Sequence, residues 1–381
     1  MSDLLTADVV AEVHGRLACI TLNRPKALNA LSLDMVRQLT RVLRQWQDDP
    51  EILAVVIRGQ GKEGPFGAFC AGGDIRFFHQ AALAQDEALS DFFTEEYALN
   101  HLIHTYSKPY IAFMDGIVMG GGMGISQGAA WRVATERTLM AMPETQIGLF
   151  PDVGGGYFLS RCPGHSGEYL ALTGQVLHGA DALTVGLADV CLPSDAMPAL
   201  WDALSNPNWS SGEALLVGLQ VQAENLEGAC IVQNAARPSW QDAQLDSVFA
   251  LPSVGEMVQS LTRLAAGQAE GWAAHTLQAL RQRSPLMLAV SLEQIRRGRH
   301  LSLADDLRME RDLVRHCFHT DHLQRRGAQT ETVEGIRALA IDKERQPKWQ
   351  PERIEDVTPE MVAAFFASPW PEQAHPLRHL A

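Results

Sequence analysis

Two carboxylates, Glu144 and Asp152, stand at the ends of a short apolar stretch between two prolines in the segment MPETQIGLFPDVGGGYF, residues 142–158. Acid groups set among Ile147, Leu149 and Phe150 are costly to bury as charges. They pair, shift their pKa upward, or perform chemistry that needs a carboxyl. Glu144 follows an apolar strand pattern at Thr138–Met142 and Pro143, which places it near a strand end; its plainer role is a loop carboxylate bonded to nearby N–H groups. Asp152 precedes Val153-Gly154-Gly155-Gly156, so its plainer role is the N-cap of the next helix.

Upstream lie two turns that suit an oxyanion. Gly72-Gly73 in AFCAGGD and Gly120-Gly121-Gly122 in GIVMGGGMG each precede a helical pattern. Glycines permit φ > 0 and close approach of a ligand oxygen to N–H groups, and a helix N-terminus adds positive potential. The candidate donors are the N–H groups of Gly73 and Gly121, against the reading of simple tight turns. A dinucleotide fingerprint would need a third glycine where Ile125 stands, and no GxxxxGK[ST] phosphate loop exists. Gly124-Ile125-Ser126-Gln127-Gly128 spells the G-x-S-x-G nucleophile elbow, with His165, His178 or His275 as later partners. That elbow needs a strand running directly into the serine, whereas the strand pattern here ends at Met114. Ser126 therefore reads as an interior helix residue.

Glu96 shares a helical face with Phe92, Leu99 and Ile103, so a charge falls on the apolar stripe; it snorkels to an edge or points into a pocket. His316, His319 and His322 with Cys317 and Asp321 resemble a metal cluster in spelling. The six-residue span turns the end rings apart, and Arg311 and Arg315 disfavour a cation, so the expectation is a helix end and no metal.

The elements that position these groups alternate through the first half. Val9–Val13 and Leu17–Leu22 read as a hairpin around His14-Gly15, followed by a helix whose apolar face carries Met35, Val36, Leu39, Val42, Leu43 and Trp46, with Ser32 as N-cap. A buried-type strand at Leu53–Ile57 leads into the loop GQGKEGPFGAFCAGGD, then a helix from about Glu87 to Tyr106, a strand at Tyr110–Met114 and a small-residue helix after Gly120. The pattern predicts an α/β core. From about Asp195 strand signals fade; Pro207 and Pro238 mark loops, and a last short helix begins near Thr358. The expected division is a catalytic core over residues 1–200 and a mainly helical region over 201–381.

With 381 residues, the chain is too long for one ordinary core. No apolar run approaches the ~18 residues of a membrane helix, and the start MSDLLTADVV lacks signal-peptide character. Six scattered cysteines suit reduced thiols, so the expectation is a cytoplasmic protein with no membrane partner. Net charge of −14 argues against nucleic acid. Residues 281–353 nevertheless hold 15 Lys or Arg against 11 Asp or Glu, a local balance of +4. That leaves a basic neighbour for a small anionic ligand, against the plainer reading of a solvated helix surface.

Taken together, LNRPKALNALS at 22–32, FCAGGD at 69–74, KPYIAFMDGIVMGGGMGIS at 108–126 and MPETQIGLFPDVGGGYFLSR at 142–161 resemble the crotonase (enoyl-CoA hydratase/isomerase) superfamily. With DKERQPKWQP in the tail, the resemblance narrows to its 3-hydroxyisobutyryl-CoA hydrolase branch. It implies a spiral of ββα units and a coenzyme A thioester whose carbonyl oxygen is held by two peptide N–H groups, which fall on Gly73 and Gly121. Glu144 matches the shared catalytic glutamate. Gly124 stands where hydratases carry a second glutamate, and Asp152 where they carry glycine. Glu96 matches a substrate-contacting glutamate; Lys26 and Ala71 match positions lining the CoA groove. The implied activity is hydrolysis of a short 3-hydroxyacyl-CoA, with no cofactor beyond the CoA of the substrate, in valine breakdown. Crotonase relatives often form trimers, which leaves a homo-oligomer possible. The alternatives are an enoyl-CoA hydratase or isomerase, a serine hydrolase using Ser126, or a noncatalytic CoA-binding protein.

Overall fold

The computed structural model describes residues 8–204, 209–226, 228–231, 240, 244–266 and 270–381. The loop positions expected at Pro207 and Pro238, and most of the leading segment MSDLLTADVV, lie outside these residues. The chain divides into two compact units. The first comprises Met1–Gly73, Ala98–Ala141 and Val176–Pro238, the second Asp74–Tyr97, Met142–Gln175 and Ser239–Ala381.

Among the described residues the first unit holds ten strands: β1 (Val9–His14), β2 (Leu17–Leu22), β3 (Ala54–Gly59), β4 (Tyr110–Met114), β5 (Ile117–Met119), β6 (Trp131–Thr135), β7 (Leu139–Ala141), β8 (Leu177–His178), β9 (Val190–Leu192) and β10 (Cys230–Ile231). β1 and β2 form the expected hairpin. The main sheet runs β1-β2-β3-β4-β6-β9-β10 and is parallel from β2 to β9; β5, β7 and β8 make a smaller sheet. β4, YIAFM, is buried at every position, as a parallel strand covered on both faces requires. Alternate residues Leu17 and Cys19, Ala54 and Val56, Ile111 and Phe113, Trp131 and Val133, and Val190 and Leu192 form one apolar face. The helices Met197–Leu204 and Gly212–Glu224 cover it with Leu200, Leu204, Leu215 and Leu219. Ser32 caps the Leu33–Asp48 helix by accepting from the Met35 N–H.

The loop between β3 and Gly73 has little regular structure, and Asn29 secures it. Fully buried, with φ +56, Asn29 donates its side-chain amide to the carbonyls of Gln60, Ala68 and Phe69 at 3.1, 2.9 and 3.0 Å. Its Oδ1 accepts from the Arg24 N–H at 2.8 Å. One short polar side chain thus satisfies backbone groups that a buried irregular loop would otherwise leave unpaired.

The second unit is helical. Its aromatic interior joins Phe78, Phe92 and Phe93, and Phe93 also meets Tyr97 and Phe318 at ring separations of 6.0 and 5.7 Å. The Ile75–Ala84 helix is the one expected after Gly72-Gly73, to which the sequence pattern gave no bounds. Asp74 caps it, accepting from the Phe77 N–H, and left-handed Gln85 ends it before the Ala88–His104 helix begins. The final Pro359–Ala363 helix starts at Thr358, as its cap predicts. No helix among the described residues is long and apolar enough to cross a membrane.

Replacing Asn29 by alanine strands three carbonyls and one N–H. We expect Asn29→Ala to lower stability by about 2–4 kcal/mol, read as a fall in urea midpoint at unchanged m-value.

Candidate functional site

The two glycine turns meet within the first unit. Gly72 has φ +100, and a Cβ there would lie 3.2 Å from the Met119 carbonyl oxygen and 3.5 Å from the Gly121 nitrogen. Gly121 opens the Gly121–Gln127 helix behind Gly120, whose φ is +47. A Cβ on Gly122 would sit 2.3 Å from the Cys70 carbonyl oxygen, so only glycine lets this helix pack against the FCAGGD strand end. No backbone carbonyl accepts the N–H of Gly73 or Gly121 among the described turn and loop hydrogen bonds. These two donors are what an oxyanion needs. Lys26, exposed in the Pro25–Ala27 turn, and Ala71 share a corner, where the Ala71 N–H donates to the Leu28 carbonyl.

Ser126 is fully buried and donates its hydroxyl to the Gly122 carbonyl at 2.8 Å inside that helix. Beyond Met114, where the strand pattern was expected to end, β5 carries a strand on to Met119. Gly120 still turns the chain, and Ser126 lies well inside the helix, so the strand-to-serine elbow is not formed. His316 and His322 are each within hydrogen-bond distance of a carbonyl, those of Ala367 and Met361, around the Phe365 ring.

The carboxyl groups gather in the second unit. Glu96, Glu144 and Asp152 are 2, 6 and 5% exposed, and neither Glu96 Oε1 nor Glu144 Oε2 has a hydrogen-bond partner among the described residues. Glu96 therefore points inward and does not snorkel. Burial raises all three pKa values. The Asp152 charge pushes Glu144 further up, and both neighbours push Glu96, while Asp152 itself is raised to about 7. Three buried acids whose charges act on one another titrate as a group, since each ionisation opposes the next.

Asp152 is not a helix cap. Gly154 occupies that place before the Gly155–Leu159 helix, while Asp152 Oδ2 accepts from the Tyr97 hydroxyl at 2.9 Å. Tyr97 is fully buried and its own pKa is raised by burial, so it remains a donor; its hydrogen bond counters part of the upward shift of Asp152.

The turn carrying Asp152 is held from the Leu303–Phe318 helix. Val153 and Gly154 both have left-handed φ, +56 and +87. Glu310 accepts from the N–H groups of Gly154 and Gly156 at 2.8 and 3.0 Å, and Asp306 accepts from Tyr157 at 2.8 Å. Gln294 ties Glu310 to the Pro151 carbonyl, donating to them at 2.9 and 2.6 Å. A Cβ on Gly156 would lie 2.3 Å from Asp306 Oδ1. Glu144 sits on the Glu144–Ile147 turn, which the C-terminal part of the chain also fixes: the Thr332 hydroxyl donates to the Gly148 carbonyl at 2.6 Å, and the Ser284 N–H to the Thr145 carbonyl at 3.1 Å.

Tyr97, Gln294, Asp306 and Glu310 escaped the sequence reading. Asp306 and Glu310 carried the signal that exposed Glu96, two acids on a stripe with Leu303, Leu307, Leu313 and Val314. A tyrosine or glutamine on an apolar face carries no such signal.

The sign of the Asp152 shift sets a stability test. Its folded pKa of about 7 exceeds its ordinary 3.8. Its contribution to stability is therefore fully present below pH ~4 and is lost as pH rises through 7. Asp152→Asn escapes that loss while keeping an acceptor for Tyr97. We expect it to match the parent near pH 4 and to be roughly 1–4 kcal/mol more stable at pH 8, measured by urea unfolding at both pH values.

The family model for enoyl-CoA hydratase/isomerase matches residues 17–366. The chain is 40% identical over 364 residues to a Gallus gallus protein named 3-hydroxyisobutyryl-CoA hydrolase, mitochondrial, covering 94% of this chain and 89% of that one. It is 42% identical over 354 residues to the Xenopus tropicalis protein of that name, covering 93% and 87%. Among solved structures, a carnitinyl-CoA dehydratase from Mycobacterium thermoresistibile superposes with a TM-score of 0.79 at 36% identity, covering 95% of this chain and 97% of that one. An enoyl-CoA hydratase from Rhodobacter sphaeroides does so with 0.77 at 36%, covering 95% and 98%. With this coverage added to the motifs and the spiral fold, the chain belongs to the enoyl-CoA hydratase/isomerase family, on its 3-hydroxyisobutyryl-CoA hydrolase branch.

Proposed function

We propose that the chain hydrolyses a short 3-hydroxyacyl-CoA thioester, 3-hydroxyisobutyryl-CoA foremost, releasing 3-hydroxyisobutyrate and CoA in valine breakdown. The observation that carries this reading is Asp152, a buried acid held by Tyr97 on a built turn, in a chain about 40% identical to proteins named for that hydrolysis. The Gly73 and Gly121 N–H groups hold the developing oxyanion, each worth on the order of 2.7–4 kcal/mol in precedent cases. Glu144 attacks the carbonyl to give a mixed anhydride, or takes a proton from attacking water. Asp152 orients the water or the substrate hydroxyl and assists proton transfer to the departing thiolate. Glu96 contacts the acyl group, and Lys26 and Ala71 line the CoA groove. No further cofactor is needed, because the thioester brings its own leaving group.

The names of the two solved relatives favour a second reading, hydration of an enoyl-CoA. Against it stands Gly124, inside a helix where a second acid would be required. The compartment and assembly belong to the proposal too. A cytoplasmic setting rests on cysteines that are buried and outside any disulfide among the described residues, while vertebrate relatives carry "mitochondrial" in their names. A homo-oligomer is proposed from family habit alone.

Thiol release from 3-hydroxyisobutyryl-CoA is the decisive assay. Glu144→Gln and Asp152→Asn should each lower kcat by about 10²–10⁴-fold; if both keep the parent kcat, the assignment fails. Loss of crotonyl-CoA absorbance without thiol release supports hydration instead. kcat/KM should fall as pH rises above about 7, where Asp152 loses the proton it passes towards the thiolate. Single-turnover hydrolysis in ¹⁸O water separates the two routes, since label in Glu144 requires the anhydride.

A further inference from the structure

A cavity of about 460 Å³ opens within the second unit, outside the carboxyl cluster. Its apolar wall includes Leu89, Phe93 and Phe318, and Trp370 closes one side. Arg311 and Arg315, one helical turn apart on the Leu303–Phe318 helix, line it as well.

Arg311 is 2% exposed. Its Nε donates to the Thr94 hydroxyl at 2.9 Å and its Nη2 to the Ser90 hydroxyl at 2.6 Å, and its guanidinium carbon lies 4.8 Å from the centroid of the Trp370 ring. Nη1 has no hydrogen bond among the described residues, and neither Arg311 nor Arg315 has a carboxylate within 4.0 Å among them. Arg326, at the cavity edge, is by contrast paired with Asp321 at 2.6 Å. Of the other acids nearby, Asp312 accepts from Ser368 and faces His375, and Asp86 and Glu87 stand exposed at the rim.

This arrangement is unfavourable as it stands. Guanidinium does not neutralise by losing its proton, so a buried one needs an anion. Two like charges at i,i+4 repel; burial is the main cause that lowers the Arg311 pKa and the Arg315 charge adds to it, while Tyr97, Asp312 and Asp91 offset only part. A carboxylate resolves both costs by accepting from Nη1, the donor that Thr94 and Ser90 leave open, in a charge-assisted hydrogen bond. The aromatic wall gives such an anion an apolar body to bury.

We propose that this cavity binds a small organic carboxylate carried on an apolar or aromatic body, at a site separate from Glu96, Glu144 and Asp152. The site lies one aromatic layer from them: Phe93 and Phe318 line the cavity, and Phe93 contacts Tyr97, which donates to Asp152. The Ala88–His104 helix supplies Leu89, Ser90 and Phe93 to the cavity, Thr94 to Arg311, and Glu96 and Tyr97 to the cluster. A ligand bridging Arg311 therefore braces the helix that positions the acids.

Calorimetric titration of the full chain with benzoate, with benzamide as the uncharged isostere, tests this. Saturable benzoate binding is expected, about tenfold weaker for benzamide and for Arg311→Gln, and several-fold weaker for Arg315→Gln, which is half-buried and decides the matter alone if Arg311→Gln does not fold. Affinity should be unchanged in Asp152→Asn, which places the site away from the cluster whatever reaction the cluster performs. Absence of saturable binding, equal affinity for benzamide, parent affinity in the arginine variants, or loss of binding in Asp152→Asn would each overturn the proposal.

Discussion

Keeping three carboxyl groups dry in one interior is the constraint on which the second unit is built. Glu96, Glu144 and Asp152 lie where water does not reach them, and each raises the cost of ionising the others. A fold tolerates such groups when their backbone is held so firmly that they cannot turn outward. Tyr97 restrains Asp152 directly, and its hydroxyl favours the charged form that burial disfavours. The result is an acid poised near neutrality, the range in which proton transfer is most useful.

The restraint comes from far along the chain. Glu310, Asp306 and Gln294 occupy the donors and a carbonyl of the 151–157 turn, while Thr332 and Ser284 hold the Glu144 turn. The helical C-terminal region thereby has a definite structural role, since its side chains complete the hydrogen bonding of two irregular turns that no sheet supports. Asp306 is itself raised to about 7 by burial, partly relieved by a hydrogen bond to Glu310, so this support is acidic too. In the first unit Asn29 plays a comparable part for the loop before Gly73, and close packing of Gly122 on Cys70 places the second turn beside the first.

The family shares its fold among several reactions on CoA thioesters, so the fold alone does not choose between them. The choice rests on side chains at a few positions. The family resemblance singles out two: Gly124 in the Gly121–Gln127 helix, where it implies an acid in hydratases, and Asp152 on the turn before Gly155–Leu159, where it implies their glycine. The names of the two solved relatives, dehydratase and hydratase, belong to chains 36% identical to this one. Those two positions are therefore where the chemistry must be read.

By itself the sequence determined the pattern-borne features: the hairpin, the capped Leu33–Asp48 helix, the buried run of β3, the glycine turns and the acids set in apolar surroundings. Periodicity, caps and glycine spelling are local, and local physics reads them. A charge on an apolar stripe was legible for Glu96 and equally present at Asp306 and Glu310. Tertiary structure alone decided that Asp152 answers to Tyr97 and caps no helix, that Ser126 is spent inside its helix, and that two arginines share a cavity without a carboxylate partner among the described residues. The reason is range. Hydrogen-bond partners of a turn, and the acids that shift one another's pKa, are chosen by proximity in space, and separation along the chain carries no record of it.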